Sequence, residues 1–168
     1  TCLLSSISFT DSSFSDGRNP IVRWIWNYGD GVIDTLTAGP FQHTYSAPGI
    51  YTVTLTVTDS SGCSHSITRP NILTISQPQA NFVTMDTTTC PNRNVNFVST
   101  STGPGLTYSW DFGDGNTSTL QNPVHSYASD GNFSVKLVIV DMFGCTDSIT
   151  RTNYVSIRTP IANFSVSD

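Results

Sequence analysis

Between Tyr51 and Thr58 apolar residues and threonine alternate without a break. Val53, Leu55 and Val57 fall on one face, and Thr52, Thr54, Thr56 and Thr58 on the other. A period of two marks a strand with one face buried; a helix would scatter these residues around its axis. The stretch from Phe133 to Val140 has the same design but turns apolar on both faces towards its end, which predicts a more completely covered strand. Val95–Ser99 and Leu106–Phe112 also alternate, and further strands are predicted to end at Ile75 and Ile157. Asp59-Ser60-Ser61-Gly62 and Asp141-Met142-Phe143-Gly144 read as turns, because Asp bonds nearby amides and Gly tolerates positive φ. About seven short strands per 80 residues predicts an antiparallel β-sandwich.

Composition removes the helical alternative. Of 168 residues, 47 are Ser or Thr; all 12 acidic residues are Asp, Lys136 is the sole Lys and Ala occurs five times. Helices favour Ala, Glu and Lys, whereas strands and turns favour Thr, Val, Tyr, Asn, Asp and Gly. A formal charge of −5 argues against a nucleic-acid surface. No apolar run approaches the roughly 20 residues of a membrane helix. With no basic-then-apolar leader at the start, a mature chain or an internal fragment is expected. Four cysteines in so Thr-rich and Lys-poor a chain point to an oxidising compartment. None lies in a CxxC pair, so zinc is not expected. Buried free thiols are the alternative.

The chain repeats itself. Trp26-Asn27-Tyr28-Gly29-Asp30-Gly31 recurs as Trp110-Asp111-Phe112-Gly113-Asp114-Gly115, and His43-Thr44-Tyr45 as His125-Ser126-Tyr127. Gly49, Tyr51 and Val53 match Gly131, Phe133 and Val135, and Asp59 and Gly62-Cys63 match Asp141 and Gly144-Cys145. Cys2 and Phe9 match Cys90 and Phe97. The first copy is longer before its Trp and again after it, where surface loops tolerate extra residues. A third copy begins at Pro160-Ile161-Ala162-Asn163-Phe164, which resembles Pro78-Gln79-Ala80-Asn81-Phe82; Asp168 falls opposite Asp86. The expected domains are 1–77, lacking its own first strand, and 78–158, with 159–168 as the first strand of a third repeat.

These residues resemble the PKD (polycystic kidney disease) domain. Its Trp-Asp-Phe-Gly-Asp-Gly run stands unbroken at Trp110–Gly115 and, with Asn27 and Tyr28 substituted, at Trp26–Gly31. The resemblance covers essentially the whole chain. It implies two tandem immunoglobulin-like β-sandwiches of an extracellular protein, with roles in spacing, adhesion and carbohydrate or protein contact rather than catalysis. The added cysteines resemble the disulfide-containing PKD arrays of large bacterial cell-surface proteins, gliding adhesins among them. A structural, filament-forming or spacer role outside the cell or on its surface is therefore expected, with neighbouring repeats as partners. A carbohydrate- or protein-binding accessory module of a secreted enzyme or adhesin is the alternative, and an exposed cluster of Trp24, Phe14 and Phe41 would favour it.

No catalytic role is expected. His43 and His125 occupy one repeat position, and a residue present in every module is best explained by folding, for example by tying down a loop. No Gly-x-Ser-x-Gly elbow, His-Glu-x-x-His or Walker loop is present. Trp26 and Trp110 are expected in the core, with Gly29-Asp30-Gly31 and Gly113-Asp114-Gly115 as turns. No cofactor is expected. Calcium, which some PKD domains bind, would look to oxygen ligands such as Asp111 and Asp114, but no Asp-x-Asp-x-Asp loop occurs. Three N-glycosylation sequons begin at Asn116, Asn132 and Asn163. Thr35, Thr87 and Ser148 follow Asp in triplets resembling a bacterial O-glycosylation signal. One bridge per module is expected, Cys2–Cys63 and Cys90–Cys145. Finally, Ala162-Asn163-Phe164-Ser165-Val166 duplicates the strand that the first copy lacks and is expected to be donated to the next unit, covalently linked or a separate subunit.

Overall fold

The computed structural model describes residues 1–15 and 17–166; the alignment of Asp168 with Asp86 lies outside the described residues. All described elements are β-strands, and no helix is long and apolar enough to cross a membrane. The chain divides into two compact units, Thr1–Gln77 and Pro78–Asp168.

Unit 1 contains β1 (Ser6–Phe9), β2 (Ile21–Asn27), β3 (Ile33–Leu36), β4 (Phe41–Thr44), β5 (Gly49–Asp59) and β6 (Ser64–Ile75). One antiparallel sheet has the order β3-β2-β5-β6, and β1 pairs with β4 in a second. Its core comprises Trp26, Tyr28, Phe41, Tyr45, Val53, Leu55 and Ile75. Thr54 and Thr56, on the outer face of β5, bond across to Thr68 and Ser66 on β6, and Thr58, at the end of the row, bonds Ser64 but is covered by Arg23 and buried. The alternation in the sequence thus places methyl groups inward and hydroxyl pairs outward.

Unit 2 contains β7 (Phe82–Thr84), β8 (Thr88–Thr89), β9 (Asn94–Ser99), β10 (Thr107–Asp111), β11 (Thr117–Ser118), β12 (Val124–Ser126), β13 (Gly131–Val140) and β14 (Thr146–Ile157). Its sheets run β11-β10-β13-β14-β8 and β12-β9-β7. Strands β9 to β14 correspond to β1 to β6. The isolated pairing of Cys2 with Ser76 corresponds to the parallel pairing of β8 with β14. Strand β7, on the edge of β9, has no counterpart among the described residues of unit 1. A bulge recurs too, between Tyr51 and Val53 and between Phe133 and Val135. Opposite each bulge an Asn at φ 50° (Asn71, Asn153) has its amide held by the hydroxyl of Thr52 or Ser134.

The cysteines differ from the expectation of one bridge per module. Cys2 and Cys145 are disulfide-bonded, whereas Cys63 and Cys90 are exposed free thiols. The strand order supplies the reason. Cys2 lies beside Ser76, just past the end of β6, while Cys63 follows the turn at the opposite end of the β5–β6 hairpin. The 11 residues of β5 separate these ends, a distance of roughly 30 Å at about 3.3 Å per residue. A disulfide needs Cα atoms within about 7 Å. Cys90, following β8, and Cys145, at the β13–β14 turn, are separated in the same way.

Candidate functional site

The repeated Trp-x-x-Gly-Asp-Gly motif builds the same local structure twice. In each unit the strand carrying the Trp ends in a turn whose amides are held by side chains. Asn27 Oδ1 accepts from the Gly29 amide at 3.0 Å and Asp30 Oδ1 from the Val32 amide at 3.1 Å. Asp111 Oδ1 accepts from Gly113 at 2.9 Å and Asp114 Oδ1 from Asn116 at 3.1 Å. Gly29 and Gly113 have φ of +82° and +80°, and a Cβ at either would collide with the carbonyl oxygen of Thr52 or Ser134. That position therefore accepts glycine alone. Gly31 and Gly115 also take positive φ at the turn exit.

The second carboxylate oxygen of each Asp meets the repeated His. Asp30 Oδ2 lies 2.7 Å from His43 Nε2, and Asp114 Oδ2 lies 2.8 Å from His125 Nε2. Each imidazole stacks on the aromatic of the motif, at 4.0 Å on Tyr28 and 4.2 Å on Phe112. Each also receives the edge of a buried tyrosine, Tyr45 or Tyr127, whose hydroxyl donates to the carbonyl of Tyr28 or Phe112. Burial opposes ionisation of Asp30 and Asp114. Hydrogen bonds from His43 and the Val32 amide to Asp30, and from Asn116 and His125 to Asp114, outweigh it and hold both below the usual carboxylate range. Burial and nearby Asp34 push the Tyr28 hydroxyl up to about 12. A His–Asp pair resembles half of a hydrolytic triad, but both rings are stacked in a loop-holding network present in each module. Among the described residues no group of three or more His, Cys, Asp or Glu is arranged for a metal.

Trp26 and Trp110 are both buried, at 6% and 0% exposure. The Trp110 indole donates to the Leu120 carbonyl at 2.8 Å, whereas the Trp26 indole N–H is buried without a hydrogen-bond partner. Leu120 lies between β11 and β12; the stretch from the Gly-Asp-Gly turn to the His is two residues longer in unit 1, where β3 has four residues against two in β11, and the loop there is built differently. Phe41 packs in the core against Trp24 and Trp26, and the Trp24 indole donates to Asp11 at 2.6 Å. Phe14 alone of the three expected loop aromatics is fully open, at 92% exposure, so they form no exposed cluster. Thr35, Thr87 and Ser148 are all exposed.

A groove of about 550 Å³ opens in unit 1, lined by Phe9 and the 10–14 segment that follows it and by Trp26, His65, Arg69 and Ile72 among others. At the corresponding place in unit 2 stands Phe82 of β7. Phe82 is fully buried, with its ring centroid 5.0 Å from Trp110, 5.6 Å from Tyr154 and 6.4 Å from Phe97, and with the Arg151 guanidinium 5.2 Å from it. By the repeat these four neighbours are Trp26, Ile72, Phe9 and Arg69, and all four line the groove of unit 1. Arg151 also donates to the Phe82 carbonyl and to Asn81 Oδ1, at 3.1 and 3.0 Å, and Asp147 accepts from the Ala80 amide at 2.7 Å. The sequence marked the missing strand, but the arginine beneath it carried no signal in the alternation pattern.

Two units of immunoglobulin-like β-sandwich architecture carry the same Trp, Gly-Asp-Gly and His framework and form a tandem pair. The family model described as PKD domain matches residues 2–75 and 75–157, and the chain belongs to this family. It is 32% identical over 156 residues to the pre-pro-metalloprotease PrtV of Vibrio cholerae, covering 88% of this chain and 16% of that protein. It is 49% identical over 47 residues to a microbial collagenase of Vibrio alginolyticus, covering 28% of this chain and 6% of that protein. Human polycystin-1 matches at 29% over 147 residues, 70% of this chain and 3% of that protein. The chain thus spans a small part of each of these relatives. Among solved structures, the PKD1 domain of Vibrio anguillarum Epp aligns at 31% identity with a TM-score of 0.42, covering 49% of this chain and 98% of that one.

Proposed function

We propose that this chain is a non-catalytic PKD repeat pair of an extracellular protein, acting as a stiff spacer or fibre segment that holds other activities away from a surface. The observation that carries this reading is the use of the His–Asp pairs. In both units the groups best suited to chemistry are locked into one framework by stacking and turn hydrogen bonds. The linkers support it, since Gln77-Pro78 and Thr159-Pro160 are too short and too stiffened by proline to be free tethers. Extracellular placement follows the disulfide-bonded cysteines and the resemblance to secreted PKD arrays.

An accessory binding role is the second reading. It draws on relatives named as collagenases and a metalloprotease. One set of measurements separates the two. The intact chain is applied to a glycan array and to fibrillar collagen, and its length is measured by small-angle scattering. The spacer reading expects no retention and a maximum dimension of two modules end to end. Saturable retention on either support would replace it with the accessory reading.

A further inference from the structure

We propose that Asp147 and Asp130 are linker clamps: each carboxylate holds the chain where it enters or leaves unit 2 and so fixes its direction there. The inference deepens the spacer reading and rests on it, because a spacer keeps its reach only if its links do not flex. Proline restricts φ at Pro78 and Pro160 but leaves ψ free, so direction is set by bonds to the residues alongside.

At the entrance, Asp147, near the start of β14, accepts from the Ala80 amide at 2.7 Å. Gln79 exchanges two backbone bonds with Thr102, at 2.8 and 2.9 Å, and the Asn81 amide donates to the Ser101 hydroxyl at 3.0 Å. Successive residues after Pro78 are thus tied down before β7 begins. At the exit, Asp130 takes Thr159 with both carboxylate oxygens: the amide donates to Oδ2 at 3.0 Å and the hydroxyl to Oδ1 at 2.7 Å. Gly131 pairs with Ile157, so Asp130 stands beside the place where β14 gives way to the linker. The bonds from Thr159, aided by the charge of Arg158, hold the Asp130 carboxyl below its ordinary value, and both oxygens are acceptors at neutral pH.

Neither clamp belongs to the framework that the two units share. At the positions of Asp147 and Asp130 unit 1 has His65 and Pro48, and at that of Thr159 it has Gln77. Pro48 brings no acceptor side chain and Gln77 no hydroxyl. Asp130 and Thr159 are both exposed, so their bonds cover no core. Carboxylates found in one unit alone and directed at chain outside the strands serve the links.

Backbone relaxation and amide hydrogen exchange on the intact chain test this. In the wild-type chain the Thr159 amide should have an order parameter of about 0.85, that of rigid backbone, and in Asp130→Ala it should fall below about 0.6. Its exchange should quicken about tenfold, the equivalent of one lost hydrogen bond, while Ala80 and the amides of β13 and β14 keep their rates. Asp147→Ala should quicken Ala80 by a similar factor and spare Thr159. Asp147→Asn keeps an acceptor oxygen and should leave Ala80 as in wild type. Pro48→Asp combined with Gln77→Thr transplants the exit clamp and should slow exchange of the amide at residue 77 about tenfold. Unchanged Thr159 in Asp130→Ala, or an unchanged residue 77 in the transplant, overturns the exit clamp. Exchange that quickens throughout β13 and β14 in Asp147→Ala makes that carboxylate a support of the sandwich and overturns the entrance clamp. None of these readouts depends on glycan or collagen retention, so the clamps and the spacer reading fail separately.

Discussion

Units 1 and 2 have the same six-strand framework, yet their cores are sealed to different degrees, and the difference is local. On the side of the Gly-Asp-Gly turn they agree: Tyr28 and Tyr45 are fully buried, like Phe112 and Tyr127. On the side where β7 lies in unit 2 they diverge. Phe97 and Ile139 are buried, while their counterparts Phe9 and Val57 are half-buried. A single three-residue strand accounts for this, because Phe82 covers the ends of the Trp, the Phe and the central strand at once. The motif turn and its tyrosine are common to both units, whereas the edge strand is described in unit 2 alone.

The largest expected effect tests whether the two Trp residues are energetically as unequal as their surroundings. Trp110→Ala should destabilise unit 2 by about 3–5 kcal/mol, the range for removing a large buried aromatic. Trp26→Ala should cost unit 1 less, about 2–3 kcal/mol, because the ring borders an open groove and its N–H already lacks a partner. Urea unfolding that resolves the two units checks both values. Equal losses would show that the groove does not weaken the core of unit 1.

Next comes the strand itself. Phe82→Ala should cost unit 2 about 3–4 kcal/mol, and Arg151→Ala about 1–2 kcal/mol through its two hydrogen bonds and its place over the ring. Arg69→Ala should change the stability of the monomeric chain by less than about 0.5 kcal/mol, since Arg69 is exposed beside an empty groove. Thermal melts of the three variants check these values.

A smaller effect should be nearly identical in the two units. Asp30 and Asp114 are held below their ordinary values by the bonds described above. The unfolded chain therefore binds protons more readily at these sites. Their contribution is complete above the unfolded carboxylate range, about pH 4, and is lost as pH falls through the lower folded values. Asp114→Asn should cost about 1–2 kcal/mol at neutral pH and flatten the acid limb of unit 2. Asp30→Asn should do the same to unit 1 but leave a steeper remainder, because two further carboxylates, Asp11 and Asp59, are lowered there, against Asp130 in unit 2. Stability curves from pH 6 to pH 2 give both slopes.

Much of this was legible in the sequence because it is local or repeated. Alternation over residues 52–58 fixes the inward face of β5, and Asp-Gly spacings fix the turns, since both depend on neighbours along the chain. The pairing of Asp30 with His43 was half-legible: both recur, and the repeat implied that the His ties a loop, but nothing in the spacing named its partner. The cysteines were misread because the repeat gives equivalence, not distance. Cys2 and Cys63 belong to one module, yet strand order puts them at opposite ends of a long hairpin. The indole of Trp26 was read as equivalent to that of Trp110. Its acceptor is missing because the segment after β3 is built differently from the one that holds Leu120, and no local pattern records that.

The smallest expected effect concerns the unbonded thiols, where equivalent positions again behave differently. Cys63 and Cys145 follow the same turn, held by the same aspartate: Asp59 and Asp141 each accept from the amide of their cysteine at 2.9 Å. Cys145 is 4% exposed and disulfide-bonded, while Cys63 is exposed and free. Replacing the Cys63 thiol by a hydroxyl removes little buried contact, leaves the bonds from the Ser61 and Cys63 amides to the Asp59 carboxylate, and gives the Ser61 hydroxyl, 3.5 Å from Cys63 Sγ, another acceptor. Cys63→Ser should therefore shift the stability of unit 1 by less than about 0.5 kcal/mol, and Cys90→Ser that of unit 2 by no more. Iodoacetamide applied under denaturing, non-reducing conditions should label Cys63 and Cys90 and spare Cys2 and Cys145. Labelling of Cys145, or protection of Cys63, would mean that the two turns are equivalent after all and that the cysteine difference between the units does not exist in solution.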